Sequence, residues 1–126
     1  MELFDDELRR QLPAIRKIHN PVADDQCMIF AKLFTPTSGV TFYVAEGEPR
    51  GSDFLLWGLM IAPEFKIPLR FQMTVGRLQT KDWLGKEPCQ RDQDFQLARW
   101  GAVEREIPNL RQPLVGPPPL SSTKVR

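Results

Sequence analysis

A chain of 126 residues, 41% of them hydrophobic, suits one domain with a modest core and is too apolar to be disordered throughout. Seventeen basic residues stand against sixteen acidic ones, a net charge of +1. That balance argues against a protein that gains affinity by neutralising phosphates, although it leaves room for a local basic stripe.

The first predicted element is a short helix. Asp5 or Asp6 caps it, the acidic first turn complements the helix dipole, and Phe4, Leu8, Leu12 and Ile15 recur at spacings of three and four on one face. Pro13 ends it near Leu12, because a proline inside a helix clashes with the preceding turn. His19-Asn20-Pro21 marks a turn. A strand follows over 28–35, with Ile29, Ala31 and Leu33 on one face and Met28, Phe30 and Phe34 on the other. Turn chemistry over 35–39 joins it to a second strand over 40–46, dense in β-branched and aromatic residues, so the two form a hairpin.

Residues 47–53 read as a polar loop. Residues 54–61 are apolar at both alternating sets of positions, which predicts a central strand covered on both faces. Across 63–85 the one recognisable feature is Thr74 as the cap of a short helix holding Val75 and Leu78, weakened by Gly76. A further strand, at an edge, is predicted over 94–100, with Phe95 and Leu97 on one face. Beyond Ile107 the chain turns proline-rich. The expected organisation is one α+β domain over 1–107, a small mostly antiparallel sheet with two short helices, and a flexible, disordered Pro-rich tail over 108–126.

The longest apolar run, 54–62, is about half of what a helix needs to span a bilayer, and the N-terminus is acidic where a secretory signal is basic. The expected location is therefore the cytoplasm, with no membrane partner. There Cys27 and Cys89 are expected as free thiols, Cys27 as a small core residue and Cys89 in a loop.

The stretch 32–47, Lys-Leu-Phe-Thr-Pro-Thr-Ser-Gly-Val-Thr-Phe-Tyr-Val-Ala-Glu-Gly, resembles the signature of a bacterial family of small proteins, domain of unknown function 2958. Its members occur on plasmids, integrative conjugative elements and phage-related islands. The family pattern is a Glu-Leu-rich helix ending in Leu-Pro, a Phe-Thr-Pro hairpin, an aromatic strand ending near a glutamate, an apolar strand, and a late Arg-Asp pair before an aromatic. Glu7-Leu8-Arg9-Arg10-Gln11-Leu12-Pro13, Leu56-Trp57-Gly58-Leu59 and Arg91-Asp92-Gln93-Asp94-Phe95 stand in matching order, so the resemblance covers roughly residues 7–100. Two departures are Thr74-Val75-Gly76-Arg77, which lacks the acidic half of the family's capping box, and 62–71, which lacks its glycine-rich link. The resemblance implies a mobile-element context and a compact α+β fold, and no reaction.

Several chemistries are argued down by the residues themselves. One His and two isolated Cys do not make the close ligand pairs of a zinc site, and a Cys-His nucleophile would need His19, which reads as a solvated turn residue. Neither a phosphate loop nor a dinucleotide fingerprint is present, so no cofactor is expected. Asp24, Asp25, Glu46, Glu48 and Asp92 are the acids available to a carboxylate-dependent hydrolase, but adjacent acids in polar loops read first as solvated surface, and Asp92 as a structural pair with Arg91 or a neighbouring strand.

The more informative feature is the aromatic content: Phe30, Phe34, Phe42, Tyr43, Phe54, Trp57, Phe95 and Trp100. Most belong to the core. Those left at the surface would form a partner patch. The partner-binding candidates are Tyr43, Glu46, Arg50, Trp57, Arg91 and Trp100. The expected function is non-enzymatic binding of another protein, as an accessory or inhibitor-type protein of a mobile genetic element directed at a host defence or element-maintenance component. One alternative is a single-stranded nucleic-acid binder stacking bases on Tyr43 and Trp57 beside Lys32, Arg50, Arg91 and Arg99; the other is the carboxylate hydrolase.

Overall fold

The computed structural model describes residues 4–15, 27–65, 67–81, 83 and 86–107. Within them the chain is α+β: a five-stranded antiparallel sheet, a two-stranded ladder at its edge, and three short helices. The predicted tail over 108–126, the His19 turn and Asp24-Asp25 lie outside the described residues.

Helix α1 (Asp6–Gln11) follows from its ends. The Asp5 carboxylate accepts the Leu8 N–H at 2.9 Å, Asp6 and Glu7 occupy the first turn, and Arg9 and Arg10 the last. Leu12 turns to extended backbone (φ −75°, ψ 130°) because Pro13 disfavours the helical region in the residue before it. Phe4, Leu8 and Leu12 are buried together as their spacing requires.

The predicted strand over 28–35 is two pieces, β1 (Met28–Ile29) and β2 (Ala31–Phe34). The break at Phe30, whose N–H donates to the Val44 carbonyl at 2.8 Å, shifts the alternation by one residue. As a result Ile29 packs with one core cluster while Ala31 and Leu33 pack with the other, and the expected common face of these three is corrected.

Strand β3 (Thr41–Arg50) runs on through the residues read as a polar loop over 47–53 and turns directly into β4 (Asp53–Ile61) through Gly51-Ser52. Gly51 takes φ 60° at the first turn position, where a two-residue hairpin favours glycine. Gly47 lets the strand continue under α1: a Cβ there would lie 2.6 Å from Phe54 and 3.0 Å from Leu12. Its N–H donates to the Pro13 carbonyl, tying the end of α1 to the sheet.

Strand β4 is flanked by β3 and by β5 (Leu69–Thr74), and both its faces are covered, as its two-sided apolar pattern predicts. Thr74 caps α2 (Val75–Leu78) by accepting the Arg77 N–H, and Asp53 accepts the Gly76 N–H at 3.0 Å. The predicted strand over 94–100 is corrected. Only β7 (Ala98–Arg99) is extended; 92–97 is a loop after β6 (Gln90–Arg91), and Trp100 opens a third helix, α3 (Trp100–Arg105).

The sheet order is β5-β4-β3-β2-β6, with β1 pairing β7. One face carries Leu33, Phe42, Val44, Leu56 and Phe71 under α1, α2 and Trp83. The other carries Ile29, Tyr43, Ala45 and Leu59 under Trp100 and Val103 of α3. Ala45 lies beside Tyr43 on this second face by ordinary alternation, and the bulge between Val44 and Glu46 brings Glu46, opposite Trp57, onto it as well.

Candidate functional site

The outer edge of β1 and β2 is covered by a strand that leaves and returns. Leu33 pairs with Arg91 and Ile29 with Ala98, so four steps on the inner side face seven on the outer. The three surplus residues let 92–97 leave the edge as a loop, which stands over the second face of the sheet. Asp92 builds it: its N–H donates to the Lys32 carbonyl at 2.9 Å, its carboxylate accepts the Asp94 N–H at 2.9 Å, and its carbonyl accepts the Phe95 N–H at 3.3 Å. The same carboxylate lies 3.7 Å from the Lys32 ammonium, a half-buried pair between neighbouring strands.

Between this loop and α3 lies an open cleft of about 480 Å³. Phe95, Leu97, Ala98, Val103 and Ile107 supply its apolar walls; Lys32, Asp92, Asp94 and Glu106 supply charge. Tyr43 lines it from the sheet. Its ring meets Trp100 edge-on at 5.5 Å and Phe95 at 6.4 Å. Burial pushes its phenol up to about 12, helped by the nearby Asp92 and Glu106 charges, so at neutral pH it is a neutral hydroxyl and not a base or nucleophile. Beneath it Trp100 is fully buried, and its indole N–H has no acceptor among the described residues.

The structure therefore separates the six candidates named from sequence. Tyr43 borders the cleft, and Trp100 forms its buried support without reaching the surface. Glu46 is buried and half-buried Trp57 stands opposite it, further along the same face. Arg50 is exposed at the hairpin end, paired in register with Asp53. Arg91 turns to the first face, where its guanidinium meets Asp5 at 3.4 Å. Asp92 takes the neighbouring-strand pairing expected of it, with Lys32.

The residues not singled out are Leu97, Asp94, Glu106 and Ile107. Their signal was the Asp-Gln-Asp turn at 92–94, followed by Trp100, Val103 and Ile107 at helical spacing.

Neither cysteine is in a disulfide, and Cys89 is buried against the first face, where burial and then Glu87 push its thiol up to about 12. Such a thiol is not an activated nucleophile. Among the described residues no three His, Cys, Asp or Glu side chains are placed to hold a metal ion, and no helix is long and apolar enough to cross a membrane. Compared with known proteins, the chain matches no family model, no curated protein and no solved structure.

Proposed function

We propose that this chain is a non-enzymatic interaction protein of a bacterial mobile genetic element, which binds another protein in the cleft between the loop 92–97 and α3. The observation that carries the reading is Leu97. It is 58% exposed, the most exposed large apolar side chain among the described residues, and it stands on the rim of a cleft already walled by Phe95, Val103 and Ile107. An exposed Leu97 among Asp94, Gln96 and Glu106, beside an internally paired Lys32 and Asp92, suits a partner's apolar side chain flanked by polar groups. The neutral phenol of Tyr43 is a hydrogen-bond donor for such a partner and supplies no catalytic base. The mobile-element setting, with a host defence component as expected target, is supported by the sequence resemblance alone.

The test is capture of a single host protein by the immobilised chain, followed by reconstitution from the two purified components. Binding that survives high salt and is lost in Leu97→Asp fits the reading. Steeply salt-dependent binding to a single-stranded oligonucleotide, unaffected by Leu97→Asp, would overturn it.

The gathering of Asp92, Asp94 and Glu106 at one cleft favours the carboxylate hydrolase as second reading. It requires turnover abolished by Asp94→Asn or Glu106→Gln with the fold unchanged.

A further inference from the structure

The opposite edge of the sheet is finished differently. β5 pairs with β4 on one side, and no backbone hydrogen bond from Leu69–Thr74 goes to the other side among the described residues. Along these six residues of edge the outward N–H and C=O groups meet no partner among the described residues, which makes a surface on which another strand can build. The connection that feeds β5 holds two of the four large apolar side chains that stand exposed, Phe65 at 40% and Ile67 at 37%. Along β5 the side chains alternate cleanly. Phe71 and Met73 turn to the first-face core, whereas Arg70 and Gln72 are exposed.

We infer that β5 is a strand-addition surface whose partner is a second copy of this chain, paired antiparallel about Gln72. A two-fold axis perpendicular to the sheet keeps core face beside core face and must place some residue opposite itself. Centred on Arg70, it would oppose two guanidinium groups. Centred on Phe71, it would oppose two rings already held edge-on by Phe42 at 4.7 Å. Centred on Gln72, it sets carboxamide against carboxamide, Phe71 against Met73 of the second copy, and Arg70 against Thr74 of the second copy. The middle pair exchanges hydrogen bonds, the second brings a thioether to an aromatic edge, and no like charges meet. The register also carries Ile67 past the end of the ladder toward the second copy's α2.

The test is a charge swap at Gln72, a side chain exposed enough to change without disturbing the core. Molar mass is measured by light scattering after size exclusion, with circular dichroism confirming the fold of each variant. The unaltered chain is expected at twice its monomer mass at high micromolar concentration. At that concentration Gln72→Lys and Gln72→Glu are each expected at monomer mass, because like charges then face one another. Mixed in equal amounts, the two variants should return to the doubled mass. A monomeric unaltered chain, a dimer of either variant alone, or a mixture that stays monomeric would each overturn the inference.

Discussion

Phe42 and Tyr43 are consecutive on β3 and both are almost wholly buried, yet their surroundings differ. Phe42 packs edge-on against Phe71 and Trp83, in a cluster that gathers side chains from α1, α2 and four strands of the sheet. Tyr43 packs against Trp100 and Phe95, in a smaller cluster covered by α3 and the loop 92–97, with a cleft beside it. Alternation along one strand thus feeds two different interiors. The first face carries the larger packed core, whereas the second has less cover and an open cleft beside it.

The largest expected effect of this contrast is on stability. Phe42→Ala should cost about 3–5 kcal/mol in chemical denaturation, because a ring gripped by two others leaves a cavity that cannot collapse. Val103→Ala, on the second face, should cost roughly 1–2 kcal/mol, the loss of two methyl groups beside an opening that relaxes more easily. Equal costs would break the contrast.

A smaller effect concerns the helix that closes the first face. The Leu8 N–H, and behind it the Arg91 guanidinium, hold the Asp5 carboxyl below its ordinary value of 3.8. A group with a depressed native value stabilises the fold in full above its unfolded value and loses that contribution as pH falls through the native one. The α1 amides should therefore keep their hydrogen-exchange protection down to about pH 4 and lose it below, and Asp5→Asn should flatten that acid limb. The smallest stability change belongs to Leu97→Ala, within about 0.5 kcal/mol because the side chain is already in water. The same substitution should nonetheless weaken partner binding, and a stability loss comparable to that of Val103→Ala would mean that Leu97 belongs to the core.

How much of this was legible in the sequence follows from how local each signal is. The α1 cap at Asp5, its stop at Pro13, the Thr74 cap and the two-sided pattern of β4 are written within a few residues of where they act, and each appears in the structure. The alternation of Leu69-Arg70-Phe71-Gln72-Met73 was present but sat behind Pro63 and Pro68, which break the reading of that region. Strands of two residues such as β6 and β7 have no periodicity to detect, since their extended form comes from pairing with β2 and β1. The cleft was least legible of all. Tyr43 could be nominated for its chemistry, but Leu97 matters only because a surplus of three residues lifts the chain off the edge, a fact of pairing and not of composition.

That lifted edge also bears on assembly. A strand arriving beside β6 and β7 would meet two residues of ladder, then a loop standing out of plane, then two more, with no flat run on which to register. Growth can proceed from β5 but not from the other side. On the proposed pairing through β5 both outward margins of the two copies would be blunt, so association would end as a closed pair and not extend into a fibre.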